Sequence, residues 1–217
     1  MMFRDRHDAG RALARRLTFY GGRADVSVLA LPRGGVPVAF EIALALGAPL
    51  DVFLVRKLGL PGHEELAMGA VASGGARVLE PDVLREYRVS KGEIARVTAT
   101  ELRELRRREI AYRAGRPPLD VRDRNVILVD DGLATGSSMR AALAALEPLS
   151  PARVVVAVPV APRSTVLSLE RVADEVVCLA TPEPFLAVGM FYENFEQVSD
   201  EEVCDLLALA NSERRAS

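Results

Sequence analysis

Apolar residues come along this chain in two rhythms, and their alternation predicts a layered α/β fold. Residues 26–31, 50–55, 126–130, 153–160 and 175–180 are short runs rich in Val, Leu and Ala, closed by Pro, Gly or charged residues. Such runs predict strands buried on both faces, as in a parallel sheet. Between them the apolar positions take helical spacing: at 8–17, ending before Gly21-Gly22; at 36–46, stopped by Gly47; at 138–146; and from about 164 onward. Ser90 with Glu93, and Ser199 with Glu202, have the spacing of capping boxes. They predict a helix reaching Tyr112 and a C-terminal helix. Segments 66–72 and 76–80 flank Ser73-Gly74-Gly75, a hairpin signal, whereas 56–65, with its Gly and Pro, reads as a polar loop.

Strands alternating with helices predict a doubly wound, three-layer α/β/α domain of one mostly parallel sheet with crossover helices on both faces. The charged helical stretch 81–118 breaks that rhythm and is expected to be an inserted helical subdomain. A chain of 217 residues accommodates this as one domain with embellishments. There are no internal repeats.

Composition changes this picture little. The formal net charge of −2 gives no electrostatic reason to expect a nucleic-acid partner. No uncharged stretch is long enough to span a bilayer, and the charged N-terminal residues lack the apolar core of a signal peptide. A cytoplasmic protein is therefore expected. Cys178 and Cys204 lack metal-ligand spacing and read as buried reduced thiols.

The chemistry concentrates in VILVDDGLATGSS, residues 126–138. The apolar run is a central strand. Asp130 and Asp131 follow at its carboxyl end, where open α/β sheets bind ligands. Paired carboxylates there can accept hydrogen bonds from two vicinal hydroxyls. Gly132, Leu133, Ala134, Thr135, Gly136, Ser137 and Ser138 then carry the chain into a helix N-terminus, whose backbone N–H groups suit a phosphate, with Thr and Ser hydroxyls as added donors. A ribose 5-phosphate fits both halves at once.

This run resembles, position by position, the motif with which type I phosphoribosyltransferases bind 5-phosphoribosyl-1-pyrophosphate (PRPP). It is most similar to the adenine branch, which also reads Asp-Asp then Ala-Thr-Gly. The hypoxanthine-guanine branch has an aspartate where this chain has Ala134, so one candidate general base is missing. The resemblance implies sheet order 3-2-1-4-5-6 with strand 3 antiparallel. It implies that the loop Pro32-Arg33-Gly34-Gly35 holds pyrophosphate through Arg33 and Gly34, in a setting that includes a strained peptide bond. It makes Arg56 and Lys57, one of only two lysines, candidate pyrophosphate contacts, and 58–65, with His63, a flexible lid. Segments 81–118 and 182–217 become the hood over the acceptor. There Phe185 resembles the aromatic that stacks on a purine, with Tyr192, Phe195 and Arg163 as weaker candidates. Mg²⁺ is expected as cofactor, bound mainly through PRPP, with Asp130 and Asp131 as the candidate protein ligands.

The function implied is transfer of the phosphoribosyl group from PRPP to a small-molecule nitrogenous acceptor, with Asp130, Asp131 and Arg33 as the catalytic set; a homodimer is also expected. Two alternatives stay open on the sequence. One is a regulator that senses PRPP or a nucleotide without transfer. The other is a different phosphosugar or nucleotide enzyme on a flavodoxin-like sheet.

Overall fold

The structure is a computed structural model that describes the backbone of residues 2–216, and the side chains of all of these except 64, 65 and 213–216. Five strands, β1 (Val26–Ala30), β2 (Leu50–Val52), β6 (Asn125–Val129), β7 (Arg153–Val160) and β8 (Glu175–Ala180), form one all-parallel sheet in the order β2-β1-β6-β7-β8. Side-chain alternation divides their residues between two cores. Val26, Val28, Ala30, Ile127 and Val129 face α1 (Arg6–Ala14), α2 (Gly35–Leu46), α4 (Lys91–Arg113) and α7 (Asp200–Ala216). Leu29, Val126, Leu128, Val156 and Val158 face α5 (Ser137–Leu146) and α6 (Arg163–Leu169). Helices on both faces of a parallel sheet make the expected three layers.

A second, three-stranded antiparallel sheet is built from β3 (Val55–Leu60), β4 (His63–Ala72) and β5 (Arg77–Leu79) in that order. This corrects two expectations. The antiparallel strand of the 3-2-1-4-5-6 order does not join the main sheet. The segment 56–65 is not a loop: it continues β3 into the tip of a hairpin in which Leu60 pairs with His63 around the turn Pro61-Gly62. The hairpin signal at Ser73-Gly74-Gly75 corresponds to the β4–β5 connection. Residues 81–113 form α3 (Pro81–Glu86) and α4, and the Ser90–Glu93 capping box is present in both directions.

Side chains explain why the main sheet stops at β2. An edge strand exposes unpaired N–H and C=O groups. Here Asp51 accepts a hydrogen bond from Val52 N at 2.8 Å, and Arg113 Nη2 donates to Val52 O at 2.9 Å. The same carboxylate takes Arg113 Nε at 2.9 Å and Leu119 N at 3.0 Å. Arg113 also donates to Glu109. Asp51 and Arg113 are both buried, so the last turn of α4 caps the edge that a sixth strand would otherwise occupy.

Breaking a buried pair by removing one partner strands a charge. Arg113→Met is therefore expected to lower unfolding free energy by about 3–5 kcal/mol in urea titrations. Arg107→Met, which loses an exposed pair with Glu104, leaves the midpoint unchanged. Equal effects of the two substitutions would contradict this account of the edge.

Candidate functional site

The cleft forms where the loops after β1 and β6 leave neighbouring parallel strands at the same end. Registered pairing of Ala30 with Val129 sets their spacing, and Leu31 N donates to Val129 O at 2.8 Å to hold the loops together. Glycine is required where they touch. A Cβ at Gly34 would lie 1.9 Å from Asp131 Oδ2, and one at Gly35 would lie 2.7 Å from Val129 O. The loop 32–35 therefore approaches the aspartates backbone-first. Its Pro32–Arg33 peptide is cis.

Asp130 and Asp131 are each half-buried. Asp130 Oδ1 accepts from Asp131 N at 2.9 Å, and Asp131 Oδ2 accepts from Arg6 Nε at 2.8 Å. Among the described residues, none donates to Asp130 Oδ2 or Asp131 Oδ1. Two oxygens of adjacent carboxylates thus remain open to the cleft. Burial, then the negative charge of Asp131, holds the Asp130 carboxyl well above the ordinary carboxylate range. Burial also raises Asp131, and the Arg6 guanidinium opposes that rise. Proton occupancy therefore favours Asp130, and negative charge favours Asp131.

Beyond the aspartates the chain turns at Gly136, whose φ of 69° lies in the left-handed region that glycine enters without a Cβ penalty. A Cβ there would also meet Thr165 Cγ2 at 2.8 Å. α5 starts at once, and its N-cap residue, Gly136, has no side chain to cap the first turn. Ser137 N reaches only Thr135 Oγ1, at a long 3.4 Å. Ala134 and Thr135 are exposed, as is Ser138, while Leu133 is buried. Buried Thr165 fixes the loop by donating to Ala134 O at 2.7 Å. An uncapped helix start beside a fixed small-residue loop can accept an anion through its amides and hydroxyls.

The other expected site residues separate. Arg33, on the first loop, lies 3.7 Å from Asp200, which also accepts the Tyr112 hydroxyl at 2.6 Å. Burial and that carboxylate push Tyr112 up to about 12, so it remains a donor. Arg56 is paired with Glu101 of α4. Lys57 is exposed and has no ion pair among the described residues. Phe185 stacks on Phe191 at 5.4 Å. Against the aspartate loop stands Val188 instead, whose Cγ1 would lie 2.5 Å from a Cβ at Gly132. Arg163 opens α6 and is exposed. Both cysteines are half-buried, and burial raises both thiols.

Three side chains given little or no weight in the sequence lie at the carboxylates. Arg6 of α1 holds Asp131 and sits 3.9 Å above the Phe195 ring. Phe195 stacks on Tyr192 at 4.9 Å, and the Tyr192 hydroxyl donates to Asp131 O at 2.5 Å. No local signal marks Arg6, because it is one of two arginines on an amphipathic helix 125 residues from its partner. Among the described residues, no group of three or more His, Cys, Asp or Glu side chains converges on a point where a metal ion could sit. None of their helices is long and apolar enough to cross a membrane.

Comparison with known proteins agrees with this geometry. A Mycobacterium tuberculosis protein, named only provisionally as a phosphoribosyl transferase, is 49% identical over 210 residues, which are 97% of this chain and 47% of that protein. The chain thus spans about half the length of the curated relatives it matches. The bifunctional protein PyrR of Chloroflexus aurantiacus is 34% identical over 133 residues, 58% of this chain and 65% of its own. The crystal structure of TT1426 from Thermus thermophilus superposes with a TM-score of 0.85 at 49% identity, covering 95% of this chain and 98% of that one. The family model described as the phosphoribosyl transferase domain matches residues 4–190. Since that span runs from Arg6 through both cleft loops and every strand of the sheet, the chain belongs to the phosphoribosyl transferase domain family.

Proposed function

We propose that this chain binds PRPP across the two cleft loops and transfers its phosphoribosyl group to a nitrogenous acceptor, releasing pyrophosphate. The observation that carries this reading is the pair of open oxygens, Asp130 Oδ2 and Asp131 Oδ1, beside an uncapped helix start. A sugar with vicinal hydroxyls and a terminal phosphate satisfies both at once. The 2- and 3-hydroxyls donate to the carboxylates, and the 5-phosphate accepts from the turn at Ala134, Thr135, Gly136, Ser137 and Ser138.

The reaction then follows from charge. Acceptor nitrogen forms a bond to the anomeric carbon as the bond to pyrophosphate oxygen breaks, and the acceptor's displaced proton leaves to solvent. Positive charge grows on the ribose ring at the transition state, where the Asp131 carboxylate stabilises it more than in the ground state. Arg33 and Lys57 are the cations available for the leaving group. Arg33 can serve by turning from the exposed Asp200 carboxylate, an exchange that costs little at the surface. Mg²⁺ would supply neutralisation of the pyrophosphate charge; among the described residues no ligand set converges for it, so it is proposed to arrive on PRPP, with Asp130 and Asp131 as the residues that would hold it. The hood segments 81–118 and 182–217 are proposed to cover the acceptor.

A second reading, a PRPP-binding regulator without transfer, is favoured by the similarity to a relative whose name gives it two functions. Pyrophosphate release separates the two readings. With PRPP, Mg²⁺ and a panel of nucleobases, the transferase releases pyrophosphate with one of them, while the regulator binds PRPP and releases none.

Replacing Asp130 and Asp131 together with Asn keeps their size and removes their charge. Turnover is expected to fall by about a thousandfold with an unchanged circular dichroism spectrum; undiminished turnover would discard the mechanism.

The carboxylate pair also predicts a pH dependence of stability. A raised pKa means that the folded state holds a proton the unfolded chain has released. Stability is therefore complete below the ordinary carboxylate range and declines as pH rises from there through the raised Asp130 value. Asp130→Asn keeps the acceptor for Asp131 N and abolishes that loss. Its melting temperature at neutral pH is expected to exceed that of the wild type, with a flatter pH profile. A lower melting temperature at neutral pH would contradict the assigned direction.

A further inference from the structure

Among the described residues, the one side chain that holds a cleft carboxylate comes from outside both loops. Arg6 Nε donates to Asp131 Oδ2 at 2.8 Å, and its Nη1 donates to Glu196 O at 2.8 Å. Its guanidinium lies 3.9 Å above Phe195. That ring stacks on Tyr192, which in turn packs on Phe3 at 5.6 Å. The column is stitched by backbone bonds between chain segments far apart in sequence: Phe3 N to Phe191 O at 2.8 Å, Glu193 N to Phe3 O at 2.8 Å, and Asn194 N to Arg4 O at 2.9 Å. Arg6 itself is only 11% exposed.

We propose that Arg6 is a positioning residue for the sugar site: it fixes the Asp131 carboxylate so that Oδ1 faces the cleft, and it stays in place while the diol binds. The inference rests on the PRPP reading given above.

Clamping explains the geometry. On one side of the carboxylate, Gly34 approaches so closely that a Cβ would sit 1.9 Å from Oδ2. The guanidinium holds the same oxygen, donating to Oδ2 at 2.8 Å. With Oδ2 held at both contacts the carboxylate has little rotational freedom, so Oδ1 is presented in one direction. A carboxylate has about four lone-pair sites, so a bond to Arg6 leaves room for a hydroxyl donor. For Arg6 to swing to a substrate phosphate instead, it would have to give up the Phe195 face, the Glu196 carbonyl and a charge-assisted bond together. Pre-fixed geometry means that the diol meets an already ordered acceptor and loses less freedom in binding.

Calorimetry with Mg²⁺ tests this using two ligands, PRPP and ribose 5-phosphate. They share the diol and the 5-phosphate, but only PRPP carries pyrophosphate. Arg6→Ala is expected to weaken both by the same factor, about tenfold. Arg6→Lys should recover part of that loss, and millimolar guanidinium should restore affinity to Arg6→Ala but not raise it in the wild type. In an Asp131→Asn background, Arg6→Ala should add less than about twofold, since the two act as a unit. Wild-type affinity in Arg6→Ala, additive losses with Asp131→Asn, or a loss confined to PRPP would each overturn the proposal, the last by showing direct pyrophosphate contact. If Arg6→Ala does not fold, Arg6→Lys carries the same two-ligand and Asp131→Asn comparisons. A wild type that binds neither ligand overturns the PRPP reading and this inference with it. A wild type that binds both, with affinities insensitive to Arg6, overturns the inference alone.

Discussion

The site depends on one steric condition: two backbone loops leave adjacent parallel strands so close together that a carboxylate fills the space where a side chain would otherwise stand. Asp131 Oδ2 lies 1.9 Å from the position a Cβ of residue 34 would take, so glycine there is the condition for the aspartate to be where it is. The β1–β6 register imposes that closeness, and the strands are buried on both faces, which prevents slippage. A rigid layered core thus fixes a polar contact at its rim. Everything chemical in the cleft, including the two open carboxylate oxygens, is a consequence of that contact.

The same condition carries a cost that the fold distributes. Two carboxylates half-buried side by side disfavour each other's charge. Arg6 offsets this most for Asp131, which it both hydrogen-bonds and neutralises, and only through its charge for Asp130, so the pair is asymmetric: one member is prepared to stay neutral and the other to stay charged. The far edge of the sheet shows the opposite solution. Asp51 is more deeply buried than either cleft aspartate, yet it is completely engaged by Arg113, Val52 N and Leu119 N. A satisfied buried carboxylate closes a sheet; an unsatisfied one is poised for a ligand. That contrast within a single chain is the physical argument that the Asp130–Asp131 pair is a binding site.

The parts of this arrangement that were legible in the sequence are those written locally. The five strands of the main sheet, of which edge strand β8 is only half-buried, the capping box at Ser90 and Glu93, and the Asp-Asp to Ser-Ser loop are contiguous patterns whose physics is short-ranged. What the sequence hid depends on pairing across long separations. The hairpin at 55–72 was obscured because Gly59, Pro61 and Gly62 read as loop chemistry, although the strands on either side align with bulges around Leu58 and Gly59. The missing sixth strand could not be foreseen without knowing that Arg113, at the end of a long helix, takes the edge bonds of β2. Arg6 carried no signal, and Tyr192 and Phe195 stood only as weaker acceptor candidates, until folding brought the N-terminal helix and the segment just beyond the family-matched span together behind Asp131. Phe185, the more conspicuous aromatic, is committed to Phe191.

The most direct measurement of the central claim is a crystal structure of the chain with PRPP and Mg²⁺ bound. The account predicts the two ribose hydroxyls within hydrogen-bonding distance of Asp130 Oδ2 and Asp131 Oδ1, the 5-phosphate on the amides of Gly136, Ser137 and Ser138, and Arg6 still seated between Asp131 and Phe195. Density for the phosphate at any other helix start, or a sugar ring turned away from both aspartates, would contradict it.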